Sequence, residues 1–227
     1  IHVGAVLLIL SGALSSDQST SLGMLAGFAK AFRNGIIIES SLGLDSINAC
    51  QTIVYDRFDG VEVTEEELEL FRKLSHMGRT LVIFNDGPVA LENDQYTIYN
   101  DLSVEEKLSK MDSLVGPIVY IGDSFKDIEL LQKSYVGISR GGLADSKVVE
   151  NSDIVLIDAE LNKVYETFLI SRSMRTTAIA NNVITVLMKL VVLIGVISFN
   201  GFPLWIAILV EMLVSATVMY NSTHILE

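Results

Sequence analysis

Residues 117–139 read PIVYIGDSFKDIELLQKSYVGIS, and the order of patterns in this stretch decides the fold. PIVYIG is a β-branched run ending at Asp123, FKDIELLQKS has helical spacing, and VGIS is strand-like again. The same alternation continues outward. Upstream, GIIIES (35–40), QTIVYD (51–56), RTLVIFND (79–86) and YTIYND (96–101) read as strands. Between them, residues 64–78 (TEEELELFRKLSHMG) predict a helix with Thr64 as N-cap, Glu67 completing a capping box, and Gly78 as the stop. SVEEKLSKMDSL (103–114) predicts another, opened by Ser103. Downstream, DIVLID (153–158) is a strand, and a long helix begins near Leu161. Apolar strands alternating with amphipathic helices predict an α/β fold, a mainly parallel sheet covered on both faces.

In such sheets chemistry gathers at the carboxyl ends of the strands. Three of these strands end in aspartate: Asp56, Asp86 and Asp123. Converging carboxylates suit a magnesium ion and a phosphoryl group, because hard cations take oxygen ligands. Asp127 starts the helix after Asp123 and can face the same pocket, and Lys107 can neutralise a phosphorylated carboxylate. A carboxylate nucleophile forming an aspartyl phosphate is established covalent catalysis. A strand-end Asp can also simply cap the next turn; three together with a lysine favour a site.

Half of the 227 residues are hydrophobic, and the net charge of −12 is concentrated in the middle of the chain. Residues 1–35 hold one acid, Asp17, and residues 171–227 hold two, Glu211 and Glu227. That distribution predicts an acidic domain between membrane pieces and excludes a basic nucleic-acid-binding surface. A single cysteine, Cys50, excludes an intrachain disulfide, and His2, His76 and His224 are too scattered for a ligand set. The opening run IHVGAVLLILSGAL reads as the end of a longer transmembrane helix, which makes the chain a fragment. After the polar stretch SSDQSTS, residues 22–35 (LGMLAGFAKAFRNG) predict a helix stopped at Gly35.

Near the C-terminus, residues 182–199 (NVITVLMKLVVLIGVISF) and 202–220 (FPLWIAILVEMLVSATVMY) are each long enough to span a bilayer. Each carries one central charge, Lys189 or Glu211. A charge at the bilayer centre costs about 2.5–3.5 kcal/mol on insertion scales, so such residues are rare and tend to be functional. With a turn at Asn200-Gly201, both lie roughly 15–17 Å deep at 1.5 Å per residue. They can therefore pair, or form an ion site.

From residue 1 to 227 the chain resembles the C-terminal half of a heavy-metal-transporting P-type ATPase of the zinc/cadmium class. GFAKAFRNGIIIESSLGLDSINACQTIVYDRFDG resembles the stretch leading into the phosphorylation motif DKTGT, which places Asp56 at the phosphorylated aspartate. RTLVIFND resembles the strand ending in TGD, and DLSVEEK the segment with the phosphate-contacting lysine, here Lys107. Residues 121–157 resemble the hinge region GDGxNDxxAL, with Asp123 and Asp127 at its two magnesium-site aspartates. Lys189 and Glu211 match the membrane Lys and acidic residue of the class, and Asn221-Ser222 its terminal Asn motif.

The resemblance implies a haloacid-dehalogenase-like (Rossmann-like) phosphorylation domain, residues 36–170, preceded at 1–35 by the end of a transmembrane helix with a connecting amphipathic helix and followed at 171–227 by a two-helix transmembrane hairpin. It also implies magnesium at Asp56, Asp123 and Asp127, contact with lipid, zinc or cadmium as transported ion, and a plasma-membrane protein with a cytoplasmic phosphorylation domain.

The departures point the other way. DKTGT has become Asp56-Arg57-Phe58-Asp59-Gly60, TGD has become Phe84-Asn85-Asp86, and GDGxND has become Gly122-Asp123-Ser124-Phe125-Lys126-Asp127. Gly12-Ala13-Leu14 stands where the family has the metal-binding CPC motif. Only about one helix separates DRFDG from the next strand, where the family inserts a nucleotide-binding domain; ATP is not expected to be bound by this chain alone. An impaired, regulatory or structural relative is therefore expected, with an active metal pump or a fragment of one as the alternative. A phosphatase would need a general acid two residues after Asp56, where Phe58 stands.

Overall fold

A computed structural model describes residues 13–40, 43–57, 62–88, 94–122, 125–140, 146–158, 160–198 and 203–226. The described chain divides into two compact units, one of residues 31–171 and one of residues 13–30 with 172–226.

The first unit is the predicted α/β fold. Its strands are β1 (Ile36–Ile38), β2 (Thr52–Arg57), β3 (Thr80–Asn85), β4 (Tyr96–Asn100), β5 (Ile118–Gly122), β6 (Val136–Arg140) and β7 (Ile154–Leu156). They form one sheet in the order β1-β7-β6-β5-β2-β3-β4, parallel throughout except for β1, which pairs antiparallel with β7 at one edge. Parallel pairs need crossovers, and the predicted amphipathic runs supply helices for them. The helices that bear on the site are α3 (Glu65–Ser75), α4 (Val104–Asp112) and α5 (Ile128–Lys133), α1 and α2 being Ala13–Arg33 and Gly43–Ser46. Both predicted helix starts are built: Thr64 with Glu67, and Ser103 with Glu106, close reciprocal capping boxes. Gly35 and Gly78 take positive φ (72° and 73°) just beyond α1 and α3, a conformation open to glycine at little cost.

β2 lies between β3 and β5, and all six of its residues are buried. Alternation sends Val54 and Asp56 to one face and Tyr55 and Arg57 to the other. On the first face Val54, Val82, Phe84, Met111, Tyr120, Leu130 and Val148 form one apolar cluster. On the second, Tyr55 meets Phe71 of α3 edge-on, with ring centroids 5.2 Å apart.

In the second unit α1 begins earlier than predicted, taking in the polar stretch 15–21. Serine, threonine and aspartate are tolerated inside a helix at a few tenths of a kcal/mol each, roughly, so polarity alone did not mark a break. The following helices are α6 (Ser146–Glu150), in the α/β unit, then α7 (Leu161–Ser198) and α8 (Leu204–Thr223). Leu161–Ser198 and Trp205–Leu226 are long and apolar enough to cross a membrane. α1 and α7 pack closely: a Cβ at Gly27 would fall 2.1 Å from the Met174 sulfur, so a larger residue there would displace Met174. The predicted helix end at residues 1–14 falls almost wholly outside the described residues, as do the turn at Asn200-Gly201, Asp123, and the loop residues Phe58 and Asp59.

Candidate functional site

Asp56 ends the central strand with its side chain buried, 3% exposed. Lys107 reaches it from the second turn of α4. Its Nζ donates to Asp56 Oδ1 at 2.9 Å and Oδ2 at 3.0 Å, and to Asp86 Oδ1 at 3.3 Å. Three residues named from the sequence thus meet, although Asp86 is much more exposed than the other two.

Asp127 is buried as well. It occupies the N-cap position of α5 and makes no side-chain capping bond there. Gly122, opposite the end of β2, makes room for it: a Cβ there would lie 2.7 Å from Asp127 Oδ2 and 2.8 Å from Tyr120 Cε1.

Tyr120 is the residue that sequence reasoning missed. It pairs in register with Val54, so its ring lies on the Asp56 face, and its hydroxyl donates to Asp56 Oδ2 at 2.6 Å. The signal was a tyrosine inside a strand destined for burial, whose hydroxyl needs a partner. Only the register shows which partner.

These contacts set the charges. Burial pushes the Asp56 carboxyl up to about 6, against the pull of Lys107; nearby Asp127 adds to the rise, while the Tyr120 hydrogen bond opposes it. Burial works against the Lys107 ammonium, but Asp56 and Asp86 hold its pKa above the ordinary value. Burial, with the carboxylates of Asp56 and Asp127, drives the Tyr120 phenol well above its usual range. At neutral pH the site is an ionised Asp56 paired with a protonated Lys107 and a neutral Tyr120.

On the opposite face Arg57 is used up locally. Its Nε and Nη2 donate to the two oxygens of Glu67 at 2.9 and 3.0 Å, and Nη1 donates to Asn85 Oδ1 at 2.7 Å. Asn85 in turn donates to the Gly87 carbonyl and to Asn100. Phe84 is fully buried in the Asp56-face cluster, and the Lys107 ammonium lies 6.0 Å from its ring centre.

Magnesium takes one or two carboxylates and several waters, so the oxygens here are of the right type, but those of Asp56 already accept from Lys107 and Tyr120. Asp56 and Asp127 supply the described oxygens. No group of three or more His, Cys, Asp or Glu among the described residues is placed to hold a metal ion.

In the second unit, Lys189 and Glu211 line one cavity of about 20 Å³ between α7 and α8. That is room for roughly one water. Apart from these two, the described lining side chains are apolar: Met188, Val192, Ala207, Val210 and Val214. Asn181, fully buried, donates to Ser222 Oγ at 3.1 Å and accepts from Asn221 Nδ2 at 2.7 Å. The motif at Asn221-Ser222 thus finds its partner in a residue that sequence reasoning passed over.

No protein-family model matches the chain. Among curated proteins it is similar to a zinc-transporting ATPase of Synechocystis sp., 26% identical over 203 residues, covering 80% of this chain and 28% of that protein. It is also similar to a cadmium-transporting ATPase of Staphylococcus aureus, 27% identical over 214 residues, covering 89% of this chain and 29% of that protein. The chain therefore spans less than a third of these relatives' length. Among solved structures, a zinc-transporting PIB-type ATPase in its E2.Pi state aligns with a TM-score of 0.75 at 12% identity, covering 92% of this chain and 55% of that one. At that identity the likeness concerns the fold.

Proposed function

The chain is a homologue of part of the zinc- and cadmium-transporting P-type ATPases, and we propose that it is a divergent, catalytically impaired relative, acting as a membrane-bound regulatory or structural protein. One observation carries this reading. Both oxygens of Asp56 are held by internal donors, and the buried Phe84 ring stands where the resemblance asks for a phosphate-holding hydroxyl. Phosphoryl transfer relies on positioned donors aimed at the moving charge, and losing one such donor costs about 2.7–4 kcal/mol. Arg57, at the position of the motif lysine, is spent on Glu67 and Asn85 across the sheet from Asp56.

In this reading residues 36–170 are the phosphorylation domain, on the cytoplasmic side of a plasma membrane entered by residues 1–35 and 171–227. Asp56 and Asp127, with Asp123, are the positions at which the resemblance puts magnesium, but in this reading the oxygens of Asp56 are already engaged by Lys107 and Tyr120. Lys107 holds the Asp56 carboxylate in place. Lys189 and Glu211 act as an ion pair tying α7 to α8, since zinc prefers about four ligands and the cavity offers one carboxylate.

The alternative, an ATP-driven zinc or cadmium pump (or a fragment of one) phosphorylated on Asp56, is favoured by one observation: Lys189 and Glu211 still face a shared cavity. Labelled ATP separates the two. Purified protein incubated with it, with and without zinc or cadmium, is expected to form no acid-stable, hydroxylamine-sensitive phosphoenzyme above the Asp56→Asn background. A metal-dependent signal lost in that variant would overturn the impaired reading.

A further inference from the structure

Of the two side chains that donate to Asp56, Lys107 has a place in the family resemblance and Tyr120, whose hydroxyl makes the shorter contact, has none. We propose that the Tyr120 hydroxyl is a built-in occupant of the Asp56–Asp127 carboxylate pair, filling the place a divalent cation would need. This rests on the impaired-site reading and gives it a physical device.

The geometry is specific. Tyr120 is fully buried and fixed by strand register, so its hydroxyl has little freedom to leave. It donates to Asp56 Oδ2 at 2.6 Å and also interacts with Asp127. Asp127 makes no capping bond to its own helix, and the missing Cβ of Gly122 leaves room for both its carboxylate and the tyrosine ring. Lys107 contacts both Asp56 oxygens as well. Magnesium demands near-octahedral oxygen ligands at about 2.0–2.1 Å. A cation bridging Asp56 and Asp127 would have to approach Oδ2 where the hydroxyl already sits. The phenol offers one proton in place of two positive charges. It satisfies the buried Oδ2 and takes the place at that oxygen which a cation bridging Asp56 and Asp127 would need.

Removing only that oxygen tests the idea. The purified chain in detergent is unfolded thermally across a magnesium chloride titration, as wild type, Tyr120→Phe and Asp127→Asn. The wild-type Tm is expected not to move with magnesium. Tyr120→Phe is expected to melt lower without magnesium, because two buried carboxylates lose their shared hydroxyl, and to recover as magnesium is added. Each kcal/mol of binding should read as roughly 2–4 °C in a chain of this size.

A wild-type Tm that rises with magnesium, and ceases to rise in Asp127→Asn, overturns the proposal even if Tyr120→Phe does not fold. A folded Tyr120→Phe indifferent to magnesium overturns it too. The impaired-site reading fails separately, through the phosphoenzyme assay: magnesium binding by wild type without phosphoenzyme would remove the Tyr120 device and leave that reading standing.

Discussion

Asp56 is a carboxylate whose burial works against its charge. In the folded chain its pKa is about 6, above the ordinary 3.8, so between those values the folded state binds more protons than the unfolded one. Its contribution to stability is therefore full below pH 4 and lost as pH rises through 6. Every tenfold change in proton affinity between the two states corresponds to about 1.4 kcal/mol. Asp56→Asn, which mimics the protonated form, should flatten the pH dependence of Tm between pH 4 and 6. Thermal unfolding from pH 4 to 8 checks this; a variant that keeps the wild-type slope would show that Asp56 is not the group titrating there. The aspartates and Lys107 could be read from the sequence because strand ends and a lysine are local patterns. Tyr120 could not, because its role depends on the register of β5 against β2.

Among the secondary-structure elements, α3 is tied to β2 by more than apolar packing. Glu67 caps the helix through Thr64 and also takes both forks of Arg57, which is 4% exposed. Removing one member of a buried pair costs about 3–5 kcal/mol, whereas losing a cap residue costs about 1 kcal/mol. Glu67→Ala should thus destabilise far more than Thr64→Ala in urea unfolding, and Arg57→Met combined with Glu67→Leu should cost less than Glu67→Ala alone. Equal effects of the two single substitutions would reduce Glu67 to a cap. The capping box was legible in T-x-x-E, and so was the alternating strand-helix order. The Arg57 contact was not: motif comparison marks that arginine as a lost catalytic lysine, while its partner is set by which face of the sheet it meets.

Across the chain as a whole, two apolar helices and an α/β unit were both readable from hydropathy and periodicity. The extent of α1 was not, since a polar stretch need not break a helix. α7 and α8 are joined by a buried amide cluster, Asn181 with Asn221 and Ser222, and by the cavity that Lys189 and Glu211 share. Interhelical polar contacts of this kind average about 0.6 kcal/mol and reach about 1.7. Asn181→Ala should lose an amount in that range, measured by unfolding in mixed detergent. Glu211→Gln should lower thermal stability, and Lys189→Met added to it should restore part of the loss. A Glu211→Gln protein of unchanged stability would instead favour a metal-handling role for the cavity.

Asp56, on the reading proposed above, keeps its place in the fold while its own neighbours close it to phosphoryl chemistry. Inorganic phosphate probes that closure without an intermediary, because labelling from phosphate needs no nucleotide-binding domain. With radiolabelled phosphate and magnesium, the wild-type chain is predicted to give no acid-stable label above that of Asp56→Asn. A hydroxylamine-sensitive label on wild type that disappears in Asp56→Asn would contradict it.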